Sequence, residues 1–338
     1  MARARRPPDL IAGLPPTGGV GVPATRTGWR AMKTKIGTRG SVLALAQAQE
    51  VLAALKVAHD TSRQEFEVCV IQTSGDRIQN RPLAEAGGKG LFTKEIEEAL
   101  LAREIDLAVH SMKDMPTRLP PGLAIACYLP RADVRDAFIS TKAQSLTQLP
   151  TAARIGTSSL RRQAQVKRLR PDLQVMALRG NVDTRLRKLQ EGVVDATLLA
   201  CAGLARLGLS SRITQPVSVD DMLPAVAQGA IGVEIRADDD RTARLLAPIN
   251  HAQTALAVAV ERAFLARLDG SCKTPIAGLA QLVAPDRLLF RGEILAPDGR
   301  RWHATCREGR PDTAIAMAED AAAELVALAG PDFFRALS

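Results

Sequence analysis

A chain of 338 residues exceeds what one hydrophobic core usually serves, so two or three domains are expected. The composition, 46% hydrophobic and 24% charged, is that of an ordinary globular protein, and aromatics at 3% leave few stacking platforms for nucleic acid. The formal charge of +9 is unevenly spread, and no apolar stretch is long enough to span a bilayer.

Residues 1–31 hold Arg3, Arg5, Arg6, Arg26 and Arg30 against Asp9 alone. The segment is rich in Pro and Gly and lacks an apolar h-region, which excludes a secretory signal. It reads as a disordered leader over residues 1–32, or as an extension ahead of a true start at Met32; an organellar transit peptide is the alternative.

From Lys33 the pattern turns regular. KTKIGTRGS predicts a strand and a glycine loop, with Ser41 capping a helix whose Leu45, Ala48, Leu52 and Leu55 share one face. FEVCVIQT predicts a strand, LFTKEIEEALLAREI a helix and DLAVHSM a buried strand; LAIACYLP and DAFIST follow. AARIGTSSLRRQAQVKRLR gives strand, turn and helix again, and LQVMALRG, TRLRKLQEG and DATLLA continue the alternation. Such alternation predicts α/β domains with mainly parallel sheets. After residue 250 come one long helix, strands around an APDG turn and an alanine-rich helix, which is a small α+β domain.

Cys69, Cys127, Cys201, Cys272 and Cys306 form no CxxC pair and no zinc spacing, so no metal site is expected, and the odd count suits a reducing compartment. Three of them (69, 127 and 201) sit in apolar runs and read as buried. Cys272 differs: in LDGSCKTPIAG, Gly270, Ser271 and Pro275 predict a loop, and Lys273 beside it favours the thiolate.

Residues 154–188 carry ten basic side chains against Asp172 and Asp183. Lys167, Arg168, Arg170, Arg187 and Lys188 read as a solvated helix face. Arg161 and Arg162 follow Gly156-Thr157-Ser158-Ser159 at a strand-to-helix junction, where their charge opposes the helix dipole and suggests an anionic ligand. Arg179, Arg185 and Arg39 repeat the theme at other loops, where open α/β sheets bind ligands. GGKG (87–90) lacks the spacing of a phosphate loop. In AVHSMKDMP, Asp114 either caps a turn ahead of Pro116 or is a carboxylate held amid cations at a cleft mouth, able to stabilise a carbocation or relay a proton. His110 reads as packed.

IGTRGS, GGKGLFTKE, AVHSMKDMP, GTSSLRRQ, LRGNVDTR, LPAVAQGAIG and LDGSCKTPIAG, in this order, resemble the motifs of the porphobilinogen deaminase (hydroxymethylbilane synthase) family from about Lys35 to the C-terminus. The resemblance implies two periplasmic-binding-protein-like (type II) α/β domains, 33–130 with 230–248 and 131–229, plus a small C-terminal α+β domain, 249–338. It implies a dipyrromethane cofactor on Cys272 through a thioether. Four porphobilinogen units would be added head to tail with loss of ammonia, and hydrolysis would release hydroxymethylbilane for porphyrin and heme biosynthesis.

By the same resemblance Asp114 is the catalytic residue. Lys113, Asp114, Ser158, Ser159, Arg161, Arg162 and Gly203 would bind the cofactor, and Arg39, Ser41, Arg179, Arg185 and Arg206 the substrate. Val42 stands where many relatives have proline, and TSGD (73–76) where TRGD is common; both lie near an expected mobile loop at 73–90. A cytoplasmic monomer without nucleic-acid or membrane partners is expected. The rivals are a non-catalytic bilobed binding protein, which leaves Cys272 without purpose, and a cysteine hydrolase, which needs His59, His251 or His303 as base.

Overall fold

The computed structural model describes residues 32–59, 64–77, 92–268, 275–330 and 333. The leader, GGKG and Cys272 with its neighbours 269–274 lie outside the described residues.

The first lobe opens with β1 (Met32–Arg39), α1 (Val42–Ala58), β2 (Gln64–Ile71), α2 (Ser74–Arg77), α3 (Lys94–Leu101), β3 (Leu107–Ser111) and β4 (Leu123–Tyr128). Ser41 starts α1 as expected, its Oγ accepting from the Ala44 N–H. Helix α1 buries Ala48, Val51, Leu52 and Leu55 with Ile36, Leu107 and Val109 on one face of the sheet. Ile96, Ala99 and Leu100 of α3 meet Ile105, Ala108 and Leu123 on the other. Helix α3 is shorter than LFTKEIEEALLAREI predicts. It ends where Arg103 takes φ 59°, with Arg103 N–H donating to Leu100 O and Glu104 N–H to Ala99 O. That is the Schellman pattern with arginine in the place glycine usually takes.

The second lobe contains β5 (Asp136–Ser140), β6 (Arg154–Gly156), α4 (Leu160–Leu169), β7 (Gln174–Met176), α5 (Val182–Gln190), β8 (Ala196–Ala200), α6 (Cys201–Arg206) and β9 (Gln215–Pro216). The chain then returns as β10 (Ile231–Arg236) and α7 (Asp240–Leu246). The third domain is α8 (Ala252–Arg267), β11 (Ile276–Ala284), β12 (Arg287–Leu295), β13 (Trp302–Gly309) and α9 (Ala314–Ala329).

The two large sheets have matching orders, β2-β1-β3-β10-β4 and β7-β6-β8-β5-β9. In each, the strand between the third and last positions comes from the crossing between lobes and runs antiparallel to both neighbours. This is the periplasmic-binding-protein-like (type II) α/β architecture. The two sheets are mainly parallel as expected, four strands of each running the same way, with only β10 in one and β5 in the other reversed. The third sheet, β11-β12-β13, is antiparallel throughout, with the Phe264 ring of α8 tilted against that of Phe290, their centroids 5.0 Å apart.

Two chain segments, 129–135 and 217–230, connect the lobes, and one buried carboxylate joins both to the third domain. Glu261 of α8 accepts from Arg131 Nη1 (2.6 Å) and Nη2 (3.0 Å), from Ala227 N–H (2.6 Å) and from Ala280 N–H (2.8 Å). The lobes also touch directly through Arg206 Nε and Glu50, 2.9 Å apart. The APDG turn packs on α4: at Gly299 (φ 72°) a Cβ would lie 2.4 Å from Arg168 N, so only glycine fits.

Candidate active site

Strand β3 delivers SMKDM to the cleft. Past Ser111 the chain makes one 3-10 turn, Met112–Asp114, which buries Met112 and leaves Asp114 exposed. A pocket beside it is lined by Arg39, Ser41, Phe92, His110, Ser111 and Asp114, among others. Arg39, at the end of β1, sits with its guanidinium 4.1 Å from the Phe92 ring centroid. His110 is packed as expected, its Nε2 2.9 Å from Glu234 Oε2 inside the sheet.

Lys113 projects toward the second lobe. Burial pulls its ammonium pKa below the ordinary lysine range; Arg162 and Arg161 act the same way, while Asp114 and Asp136 oppose them. Arg185 behaves alike: burial, then Arg162 and Arg179, bring its guanidinium down to about 10, with Asp114 acting the other way. Its Nε donates to Gly180 O at 2.8 Å. Five cations (Lys113, Arg161, Arg162, Arg179, Arg185) thus gather around two carboxylates, Asp114 and Asp136.

Asp136 is the residue the sequence did not single out. It opens β5 fully buried and holds both first-turn arginines of α4: Arg161 Nη1 is 2.8 Å from Oδ2, and Arg162 Nη2 2.7 Å from Oδ1. Burial raises the Asp136 pKa, but the two guanidiniums outweigh it and hold the carboxyl well below the usual range. Arg161 also donates to Leu223 O and Gln165 Oε1, and Arg162 to Leu198 O. The first anion these arginines meet is therefore internal, which corrects the reading that their unfavourable place on the dipole calls directly for a ligand. Two guanidiniums on one carboxylate still leave a positive excess.

The other predicted residues are dispersed. Ser159 caps α4, accepting from Arg162 N–H, and Ser158 Oγ donates to Leu178 O. Gly203 in α6 faces the first lobe, where a Cβ would stand 3.6 Å from Leu43. Arg206 is bound to Glu50 and to Gly229 O (3.1 Å) rather than lining the pocket. The expected solvated face is only partly so. Arg187 is exposed, but Arg168 lies 4.8 Å from the Trp302 ring and donates to Asp221 O, and Arg170 holds the carbonyls of Leu146, Thr147 and Leu149. Lys167 donates to Leu173 O, and Lys188 to Arg179 O. Cys127 and Cys201 are buried, as predicted, and Cys69 is half-buried. Burial pushes the Cys127 thiol up to about 12 and, with Asp133, the Cys201 thiol to about 11. The remaining histidines have structural contacts: His59 with Leu245 O, His251 as the cap of α8, and His303 against Phe333.

A cleft with an exposed carboxylate among excess cations suits a ligand bearing several carboxylates. Residues 34–244 match the family described as porphobilinogen deaminase, dipyromethane cofactor binding domain, and residues 255–327 match porphobilinogen deaminase, C-terminal domain. The porphobilinogen deaminase of Paracoccus denitrificans (strain Pd 1222) is 59% identical over 300 residues, 89% of this chain and 96% of the relative. That of Nitrobacter hamburgensis is 57% identical over 299 residues, 88% of this chain and 94% of the relative. Among solved structures, a periplasmic substrate-binding protein of an ABC transporter from Coxiella burnetii is similar over 68% of this chain and 96% of its own, at 16% identity and TM-score 0.41.

Proposed function

The chain belongs to the porphobilinogen deaminase family, transferases of porphyrin biosynthesis with a dipyrromethane cofactor, and we propose that Asp114 is its catalytic carboxylate. The observation that carries this reading is the cluster of Lys113, Arg161, Arg162, Arg179 and Arg185 around one exposed acid at the cleft. The cofactor, attached through Cys272, supplies a pyrrole carbon nucleophile from which the chain grows. Its acetate and propionate groups fit the cationic excess, since a guanidinium fork binds carboxylate bidentately.

The residues divide the work by position. Asp114, on its exposed turn, stabilises positive charge on the incoming pyrrole and takes or returns the proton at pyrrole nitrogen. Lys113, Arg161 and Arg162, with the Ser158–Ser159 turn and the close approach at Gly203, hold the cofactor. Arg39 and Ser41 beside the pocket, with Arg179 and Arg185 across from it, bind substrate carboxylates. Arg206 joins them once its contact with Glu50 opens. Lowered pKa values at Lys113 and Arg185 support this assignment, because both regain their ordinary basicity when an anion arrives.

The three-domain partition at 33–130 with 230–248, 131–229 and 249–338 follows the two crossings and the separate third sheet. We place the enzyme in the cytoplasm, on the strength of cysteines without a disulfide framework, and take it as a monomer. No helix among the described residues is long and apolar enough to cross a membrane. Intact-mass measurement tests the core of the proposal. The purified protein should exceed its sequence mass by one dipyrromethane, and Cys272→Ser should lose that adduct with the activity. Asp114→Asn should keep the adduct while turnover falls by roughly two to three orders of magnitude, the usual cost of one lost transition-state charge contact. Near-normal turnover in that variant would reassign the catalytic acid.

A further inference from the structure

Helix α4 carries Arg161 and Arg162 in its first turn, and the third domain grips that helix along its length. Gln163 Nε2 donates to Pro297 O at 3.4 Å, Gly299 abuts the backbone at Lys167–Arg168, and the Arg168 guanidinium lies over Trp302. Between these contacts is one that bears on an active-site side chain. Glu293 of β12 is buried, and its Oε1 accepts from Gln165 Nε2. Gln165, fully buried, turns its Oε1 to Arg161 Nη1 at 3.0 Å. Both Arg161 Nη1 and Gln165 Nε2 also donate to Leu223 O, at 2.8 and 3.0 Å.

An amide has one donating and one accepting end, so the partner of the first end decides what the second presents. A carboxylate can only accept. Glu293 therefore draws the NH2 end of Gln165 toward β12 and leaves the carbonyl end facing the guanidinium. Were the amide reversed, two donors would confront each other in a buried space, at the cost of an unsatisfied polar group on each side. Burial pushes the Glu293 carboxyl up, and Gln165, Arg168 and Arg161 act to hold it down.

We propose that Glu293 of the third domain is a positioning residue for the cofactor-binding Arg161, acting through the amide of Gln165. The domain whose sequence carries the attachment cysteine thereby also orients an arginine that grips the attached group. The inference rests on the assignment of Arg161 to the cofactor, so Arg161→Leu is the reference variant.

The test compares the share of purified protein carrying the adduct mass, kcat/KM for porphobilinogen and the thermal midpoint. Glu293→Leu should lower kcat/KM about tenfold, the scale of one buried hydrogen bond, and lower the adduct-bearing share. Glu293→Gln should recover most of both, since an amide oxygen also accepts from Gln165. Gln165→Glu should be worse than Glu293→Leu, because two carboxylates would face each other. Combining Gln165→Glu with Glu293→Gln should restore the adduct, as the new amide donates and the new carboxylate accepts from Arg161. Should Glu293→Leu fail to fold, the exchange pair decides alone. A lower midpoint with no rescue by the exchange would mean a merely structural contact and overturn the proposal. So would an unaltered Glu293→Leu beside an Arg161→Leu that loses its adduct. An Arg161→Leu enzyme with full adduct and turnover would instead overturn the assignment of Arg161.

Discussion

Asp136 shows how a single side chain sets the character of the site. Removing its charge strands two buried guanidiniums, and breaking such a buried ion cluster typically costs about 3–5 kcal/mol. Asp136→Asn is thus expected to lower the thermal midpoint sharply and to release Arg161 and Arg162 from their common anchor. The native pKa of Asp136 is depressed, so its stabilisation is present above the ordinary aspartate pKa and disappears as pH falls through the lower folded value. Wild-type and Asp136→Asn protein should accordingly converge in stability toward strong acid, and a constant gap at all pH would contradict the ion cluster. The residue was hidden in the sequence because DAFIST reads as an ordinary strand, and the two arginines it holds lie 25 and 26 positions later. Cys127 and Cys201 were easier to read, since their apolar runs translate into burial, whereas Cys69 in a similar run is only half-buried. Native protein should label fast at exposed Cys306 and hardly at all at Cys127 and Cys201, with peptide mapping as the check.

Elements were legible where local chemistry decides them. Ser41 caps its helix as the sequence implies, and the strands from β3 to β8 fall within their apolar runs. What stayed illegible depends on the path of the chain through space. The antiparallel course of β5 and β10 follows from the crossing between lobes, and no local residue announces it. The end of α3 is a similar case, because the left-handed position there is filled by Arg103 and so carries no glycine signal. Arginine at φ 59° pays a steric cost that glycine avoids, on the order of 1 kcal/mol. Its ion pair with Asp238, 3.3 Å long between two exposed side chains, offsets little of that. Arg103→Gly should therefore raise the urea midpoint slightly at unchanged slope; a drop would show that the surface pair outweighs the backbone. The basic face of α4 was misread for a related reason. Charge and period suggest solvent, but Arg168 and Arg170 reach carbonyls supplied by segments distant in sequence.

At the scale of the whole molecule, the two lobes and the third domain need a junction that survives changes in the cleft, and Glu261 provides it. A lone carboxylate within TALAVAVERAFLARL is visible in the sequence, but its partners lie 130, 34 and 19 residues away and could not be read there. By contrast, the direct contact between lobes, Arg206 with Glu50, has an acid that is 42% exposed and is worth about 0–1 kcal/mol. Cooperativity between domains should therefore depend on Glu261 and hardly on Glu50. Glu261→Gln keeps the shape but offers one acceptor oxygen to four donors, and places its own NH2 against some of them. Expected is a loss of about 3–5 kcal/mol, the scale for removing one partner of a buried ion pair. The third domain should also uncouple, because Arg131 and Ala227 bind both interlobe segments to α8 through this one group. In a Trp29→Phe background, Trp302 emission reports the contact of the third domain with α4, while far-UV dichroism reports all helices. The two urea transitions should coincide in the parent and in Glu50→Ala, and separate in Glu261→Gln. Coincident transitions in Glu261→Gln at an unshifted midpoint would show that the domains are held together elsewhere.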